Sequence, residues 1–369
     1  MLSGTYCPLT YNENSPFAPA RHLNHGHSYS FKEIVLVTVG SVFLFPVRVV
    51  LLFLTTITYW FLVRLFSVGY WSILHTQTLE DPLPICRRRI LDVVNKVMSR
   101  LFLGCYGIWM TRLGNPCLEV PTICNHVAFL DLFILMSHGI RTFVVMSDVL
   151  SFPFIGFIFR SNCCIFVDRL DKSDCQRAAH LLTERLETLS SNQNDCRIPV
   201  TSVFPEGTIT NSFQLIKLKT GVFRPLVRLH PVGLRFIGKR YLPSNIERTF
   251  PRHLFRTLSQ FVNRVEIDFS HSIVSPLSNE DFYSYTRRCE SILASIIKRP
   301  VSSAVCEDIV EWTLVYEGKM NKQEAVDNYH SRRKNKGDFL SINDVLNSQS
   351  NIDVVIDSEA PEIAAGVSS

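Results

Sequence analysis

Apolar positions are spread very unevenly along the chain. From Ile34 to Phe66 runs IVLVTVGSVFLFPVRVVLLFLTTITYWFLVRLF, in which only Arg48 and Arg64 carry charge. About twenty apolar residues suffice for a helix to cross hydrocarbon, so the pattern predicts a helical segment over 31–68 embedded in a bilayer. It starts too late, runs too long and lacks the small-residue cleavage site of a removable signal peptide. Proline removes a backbone hydrogen bond and a guanidinium in lipid needs a partner or a route to water. Pro46 and Arg48 therefore leave two geometries open: a span, or a helix broken at Pro46 that dips in and returns to the same side. Arg64, Arg87, Arg88, Arg89, Lys96 and Arg100 follow, and this basic excess places the next domain on the cytosolic side in either case.

Beyond residue 115 the pattern alternates. Short β-rich runs, TIC before Asn125, TFVVMS at 142–147, CCIFVDR at 163–169, VTSVFPEG at 200–207, LHPVGLRF at 229–236 and VEIDF at 265–269, are separated by helical stretches. Such alternation predicts an α/β fold, a mixed sheet flanked by helices, over 69–300. Ala178, Leu182, Leu186 and Leu189 line one side of a helix from Ser173, the expected N-cap, to about Ser190, and a second helix is expected over 279–298. Pro231 falls inside an expected strand, where it requires an edge or a bulge. The run 149–167, VLSFPFIGFIFRSNCCIFV, could line an acyl groove, wedge into a leaflet or form a buried hairpin of the core. Residues 1–30 and 347–369 read as disordered tails, and 301–346 as a charged, partly helical extension. The run HLNHGH at 22–27 could bind a metal, but no carboxylate or cysteine completes a ligand set, which favours a tail.

Composition narrows the classes. With 369 residues, 46% hydrophobic and 19% charged, the chain can bury a full core and is too apolar for a disordered protein. A net charge of +5 suits an anionic membrane surface or a phosphorylated ligand and is too small to argue for nucleic acid. Eleven cysteines without a C-x-x-C pair or a recurring spacing indicate neither a disulfide framework nor a zinc ribbon, and fit a reducing, cytosol-facing compartment. Adjacent Cys163 and Cys164 read as small buried apolar residues. No Walker loop, G-x-G-x-x-G, EF-hand loop or G-x-S-x-G occurs.

Two motifs carry chemistry. In TICNHVAFLDLFIL, His126 in a turn and Asp131 in the first turn of a following helix can meet, so that the carboxylate fixes one imidazole nitrogen and leaves the other to take a proton. No hydroxyl or thiol follows the histidine, only Val127 and Ala128, so the substrate brings the nucleophile. Some eighty residues later VFPEGTITN ends a strand in a tight loop. There Gly207 permits close backbone approach, Thr208 offers a hydroxyl, and Glu206 could orient a hydroxyl substrate or a basic partner. Arg169, ending FVDR, has the fork for a phosphate, although an ion pair with Asp168 or Asp171 is the ordinary alternative. Lys217 and Lys219 follow before Gly221.

The ordered set NHVAFLD, IFVDR, VFPEGT and LHPVGLRF resembles the four blocks of the glycerolipid acyltransferase superfamily. LFPVR at 44–48, and EGTITN followed by LKTGVF, are most similar to its lysophosphatidylcholine acyltransferase branch, with a resemblance covering about 35–240. It implies a membrane-bound enzyme moving a fatty acyl group from acyl-CoA, a co-substrate, to a lysophospholipid hydroxyl, with no metal or bound cofactor. The resemblance makes His126 the general base and Asp131 its orienter, and gives Arg169, Glu206, Gly207, Thr208 and Lys219 to the substrate. It also implies residence in the endoplasmic reticulum membrane. Val127 and Ala128 depart from the small polar residues common in the family, Ile209 from the branch's usual cysteine, and the EF-hands of some members are missing. A 1-acylglycerol-3-phosphate acyltransferase and a non-catalytic membrane adaptor on the same fold are the alternatives.

Overall fold

In the computed structural model of the protein, which describes residue 16, residues 31–169, 171–191, 197–238, 243 and 250–316 and a few positions between 320 and 331, the long apolar stretch is one uninterrupted helix. Helix α1 (Phe31–Val39) passes through a π-helical turn at Gly40–Leu44 into α2 (Phe45–Phe66). Pro46 sits in the first turn of α2, directly after Phe45 N–H has bonded back five residues to the Gly40 carbonyl. The widened turn absorbs the missing proline donor, so the helix does not turn back at Pro46. Arg48 finds its partners in protein: its guanidinium donates to the carbonyls of Leu258 (2.9 Å), Gln260 and Phe261 (3.0 Å).

The remaining elements are α3 (Ile85–Cys105), β1 (Ile108–Gly114), β2 (Thr122–Cys124), α4 (Leu130–Ser137), β3 (Thr142–Met146), α5 (Pro153–Ser161), β4 (Ile165–Val167), α6 (Lys172–Ser191), β5 (Thr201–Val203), β6 (His230–Ile237), α7 (Phe250–Leu258), β7 (Asn263–Phe269), α8 (Phe282–Ile297) and α9 (Asp308–Tyr316). Seven strands form one mixed sheet in the order β1-β7-β6-β2-β5-β3-β4. Strands β6, β2, β5, β3 and β4 run parallel, and β7 and β1 run against them. The tips of β2 and β5 therefore face the same edge of the sheet. Residues 16–306 form one compact unit, and α9 belongs to a second.

Alternation along the strands divides the core in two. Cys124, Phe143, Val145, Val232 and Leu234 pack with Leu91 and Phe102 of α3, Phe133 of α4 and Phe157 to Phe159 of α5. Ile123 and Ile165 point the other way, onto Ala178, Leu182 and Leu186 of α6 and Tyr285, Cys289 and Leu293 of α8. The aromatic run 149–167 thus supplies mostly core, with Cys163 and Cys164 buried; burial pushes the Cys164 thiol up to about 12. Pro231 lies in a central strand, yet β6 pairs with β7 only from Gly233 onward, so its missing donor leaves no ladder bond unmade on that side.

One expectation, the cap of α6, is corrected, and two features had no sequence signal. Strand β1 is an extra edge strand, mostly exposed, whose sequence IWMTRLG lacks a buried alternating face to reveal it. The cap of α6 is Asp171, which accepts from both the amide (2.8 Å) and the hydroxyl (2.6 Å) of Ser173. Of the triplet 87–89, Arg88 turns inward, ion-pairing with buried Asp81 and donating to the Ser161 carbonyl (2.9 Å). The tails and the run HLNHGH lie outside the described residues.

A buried polar chain fastens α2 to the domain. Tyr59 Oη donates to Asn95 Oδ1 (2.8 Å), Asn95 Nδ2 to Asn162 Oδ1 (2.6 Å), and Asn162 Nδ2 to the Ile158 carbonyl (2.9 Å). Asn95→Ala strips Tyr59 of its acceptor and Asn162 of its donor. The expected loss is about 1–3 kcal/mol in chemical denaturation; an unchanged midpoint and slope would refute the chain's contribution.

Candidate active site

Parallel pairing of β2 with β5 sets the spacing of the site. Thr122 lies opposite Ser202 and Ile123 opposite Val203; carried past the strand ends, that register brings His126 level with Glu206. The two tips are then tied together. His126 N–H donates to Glu206 Oε1 (2.7 Å), and the His126 carbonyl accepts from Thr210 N–H (2.9 Å). On the other flank Asn125 extends β2 toward β6, donating to the Leu234 carbonyl (2.9 Å) and accepting Leu234 N–H (2.8 Å). The backbone of the turn is held from both neighbouring strands before any side chain acts.

Asp131 completes the turn. It is fully buried in the first turn of α4, where the helix N-terminus favours a carboxylate, and its Oδ2 accepts from Val127 N–H (2.6 Å), Ala128 N–H (2.9 Å) and His126 Nδ1 (2.9 Å). With Oδ2 acting as acceptor to two amides, the imidazole proton belongs on Nδ1 and the lone pair on Nε2. The ring stacks on Phe204 at 4.2 Å between centroids and 18° between planes, and the side chain is 15% exposed. Rotation is restrained on one face and by one nitrogen, while Nε2 makes no hydrogen bond among the described residues. Cys124, two residues earlier, is fully buried, and burial pushes its thiol well above the ordinary range, so it supplies no thiolate.

Glu206 lies beneath the turn. It is 1% exposed, and burial raises its carboxyl to about 8 against the opposing pull of the His126 and Ile216 amides and the Thr210 hydroxyl. Gly207, at φ +70°, is a required glycine: a Cβ there would fall 2.8 Å from Lys219 Cε. The exposed Lys219 side chain lies across the loop, its amide bonded to the Pro205 carbonyl (2.7 Å), with Thr208 nearly buried beside it. The structure therefore gathers His126, Asp131, Glu206, Gly207, Thr208 and Lys219 at one place. Arg169 is exposed at the end of edge strand β4, three strands from β2, which at the usual strand spacing is about 14 Å from the His126 turn.

Four further residues shape the site without having been singled out from the sequence. Thr210 clamps the His126 carbonyl, Phe204 floors the imidazole, and Cys306 Sγ meets the Gly207 carbonyl (3.4 Å). Phe129, three residues after His126, packs edge-on against Phe250 (5.7 Å) and His253 (5.8 Å) of α7. Thr210 and Phe204 adjoin the P-E-G-T motif and were within reach of sequence reasoning; Cys306 and the α7 contacts had no local signal.

Residues 118–237 match the protein-family model described as Acyltransferase, a span holding His126, Asp131, Arg169, Glu206, Gly207, Thr208 and Lys219. The chain is 28% identical over 195 residues to a lysophospholipid acyltransferase, LPEAT2, of Arabidopsis thaliana, covering 52% of this chain and 34% of that protein. It is 26% identical over 319 residues to a lysophosphatidylcholine acyltransferase of Drosophila melanogaster, covering 83% of this chain and 56% of that protein. The chain thus spans between a third and three fifths of the length of these relatives. The crystal structure of the 1-acyl-sn-glycerophosphate (LPA) acyltransferase PlsC from Thermotoga maritima aligns at 14% identity with a TM-score of 0.46, covering 68% of this chain and 96% of that one.

The raised carboxyl of Glu206 has a sign that can be measured. Between the ordinary 4.5 and about 8 the folded state holds a proton that the unfolded state has released, so this group's stabilisation is complete below pH 4.5 and is lost as pH rises through 8. Glu206→Gln keeps an acceptor for His126 N–H without the charge. In urea titrations it should gain stability relative to the unsubstituted protein across that window and run parallel to it above. Glu206→Ala, which leaves the His126 amide buried without its partner, should fall below Glu206→Gln by about 1–3 kcal/mol at every pH. A constant offset between Glu206→Gln and the unsubstituted protein from pH 4.5 to 8 would contradict the assignment.

Proposed function

We propose that this protein, whose residues 118–237 form an acyltransferase domain of the glycerolipid acyltransferase superfamily, moves a fatty acyl group from acyl-CoA to the free hydroxyl of a lysophospholipid, with lysophosphatidylcholine as the first acceptor. One observation carries the reading. An imidazole held by a buried carboxylate through Nδ1 presents Nε2 beside a glycine-centred loop crossed by a lysine, and no hydroxyl or thiol of the described residues hydrogen-bonds to that ring.

The chemistry follows from that geometry. Nε2 of His126 takes the proton of the acceptor hydroxyl as its oxygen attacks the thioester carbonyl. The tetrahedral intermediate collapses with cleavage of the C–S bond, and the imidazolium returns the proton to the departing CoA thiolate. Asp131 stabilises the charged ring while it exists. Thr208, Lys219 and the Gly207 backbone hold the acceptor's phosphate region, and Arg169 reaches the more distant part of a bound substrate from the same edge of the sheet. No metal or bound cofactor enters the scheme.

We further propose that the protein works on the endoplasmic reticulum membrane with its catalytic domain in the cytosol. The apolar helix Ile34–Phe66 supports membrane association, and no disulfide joins cysteines among the described residues. The relatives' names favour a lysophospholipid acceptor and include both lysophosphatidylcholine and LPEAT types, so the head group is a matter for assay.

Membranes carrying the protein or His126→Ala, supplied with labelled oleoyl-CoA and separately with lysophosphatidylcholine, lysophosphatidylethanolamine or lysophosphatidic acid, test the scheme. Loss of a general base should lower transfer by about a hundredfold or more. Undiminished transfer by His126→Ala would remove the mechanism, and preference for lysophosphatidic acid would change the acceptor. Absence of transfer by the intact protein across several acyl lengths would favour an adaptor.

A further inference from the structure

Two elements outside the span 118–237 hold the surroundings of the P-E-G-T loop: α8 and the run VSSAVC at 301–306. In that run Ser302, Ala304 and Cys306 are buried while Val301, Ser303 and Val305 are half-buried, the two-residue period of an extended chain with one face inward. The inward side chains are small, which lets the backbone approach a neighbour closely. It runs parallel to the stretch that carries Lys217 and Lys219. Leu215 N–H donates to the Pro300 carbonyl (2.9 Å), Ser302 N–H to the Leu215 carbonyl (2.6 Å) and Lys217 N–H to the Ala304 carbonyl (2.8 Å). Cys306, at the end of the run, donates its thiol to the Gly207 carbonyl (3.4 Å).

The other amides of that stretch divide between the two sides. Ile216 N–H donates to the Glu206 carboxyl and Lys219 N–H to the Pro205 carbonyl (2.7 Å), whereas Leu218 N–H donates to Glu290 Oε2 (3.1 Å). Residues 215–219 are therefore a bridge. One side is bonded to Pro205 and Glu206, which hold the loop and the His126 turn; the other is bonded to α8 and to 300–304. Glu290 is 5% exposed on the inward face of α8, next to Cys289 and one turn from Leu293. A carboxylate in such a place needs donors, and the bridge supplies two: Leu218 N–H, and Lys217 Nζ at 2.8 Å from Oε1. Lys217 is thereby engaged with α8, and Lys219, two residues on, is the lysine that crosses Gly207.

We propose that Glu290, together with the run 300–306, is a positioning residue for the acceptor: by gripping Lys217 and Leu218 it sets where Lys219 and the Gly207 loop stand, so that recognition of the lysophospholipid phosphate is controlled from outside the span 118–237. This rests on the role given above to Gly207, Thr208 and Lys219. Asp131 and Asn125 hold the His126 turn without the bridge, so loss of Glu290 falls on the acceptor's KM more than on kcat.

Hydrogen exchange on the purified full chain in detergent, and steady-state transfer from oleoyl-CoA to lysophosphatidylcholine, test this with Glu290→Ala, Glu290→Gln, Lys219→Ala and the combined Glu290→Ala, Lys219→Ala variant. In Glu290→Ala, amides of 204–210 and 215–219 should exchange about tenfold faster or more while those of β1 and β7 keep their rates. Glu290→Gln keeps an oxygen for Leu218 N–H and should recover most of the protection. Unchanged exchange over 204–219 would overturn the positioning whether or not acyl transfer is seen, and equal acceleration in β1 and β7 would do the same by marking a general loss of stability. KM for lysophosphatidylcholine should rise about tenfold in Glu290→Ala and in Lys219→Ala, with KM for oleoyl-CoA within about twofold, and the combined variant should be no worse than Lys219→Ala. Multiplied effects in the combined variant, or a fall in kcat alone, would overturn action through Lys219. If Lys219→Ala leaves the acceptor's KM unchanged, or the intact protein transfers nothing, the phosphate-holding reading of the loop fails and the acceptor role of Glu290 falls with it.

Discussion

The bond from His126 N–H to Glu206 joins the ends of two parallel strands that are about eighty residues apart in sequence, and the rest of the site is arranged around it. Parallel strands bond evenly up to their tips and then diverge into loops, which would let the two chemical motifs drift independently. The Glu206 carboxylate bridges that divergence from below, and Thr210 N–H returns the bond to the His126 carbonyl from the far side of the same loop. The imidazole is thereby fixed through its own backbone, and among the described residues Asp131 and Phe204 restrain the ring.

Two buried carboxylates do different work because their surroundings differ. Asp131 sits at a helix N-terminus with three N–H donors converging on one oxygen, an arrangement that orients the imidazole and the two following amides together. At Glu206, also buried, desolvation outweighs the donors and raises the carboxyl to about 8. A largely uncharged Glu206 can support the His126 turn without drawing a basic ligand group toward the core. Lys219 lies exposed across Gly207 on the outer side of the loop.

Much of this was legible in the sequence for a physical reason: the strands that build the site are central, their residues are short apolar runs between turn signals, and their tips carry the only residues there with titratable chemistry. His126 and Asp131 could be paired because both fall within one strand-to-helix turn. What escaped depended on distant neighbours. Edge strand β1 buries too little to show alternation. Arg88 reads as one of three consecutive arginines until the Asp81 side chain, 4% exposed, is placed beside it. Arg48 reads as a charge stranded in lipid, and only the fold shows that it closes the carbonyl end of α7, more than two hundred residues away. The resemblance gives Glu206 to the substrate; that its buried carboxylate accepts the His126 amide follows from the register of β2 on β5, which is invisible in the motif alone.

The same distant contacts connect the chemical edge to the apolar helix. Phe129 lies three residues beyond His126 and packs on Phe250 and His253 of α7; the carbonyls at the other end of α7 are held by Arg48 of α2. A short amphipathic helix therefore stands between the His126 turn and the apolar helix, gripped at both ends. A lysophospholipid carries its reactive hydroxyl on the glycerol, at the boundary between acyl chain and head group. An enzyme acting there must hold its base at a fixed depth relative to that boundary, since an error of an ångström in the reacting distance is expensive. A span on a flexible linker would leave the depth free. In the function proposed above, a helix packed against the domain along about 36 Å, and joined to the histidine turn through α7, would fix it through rigid elements.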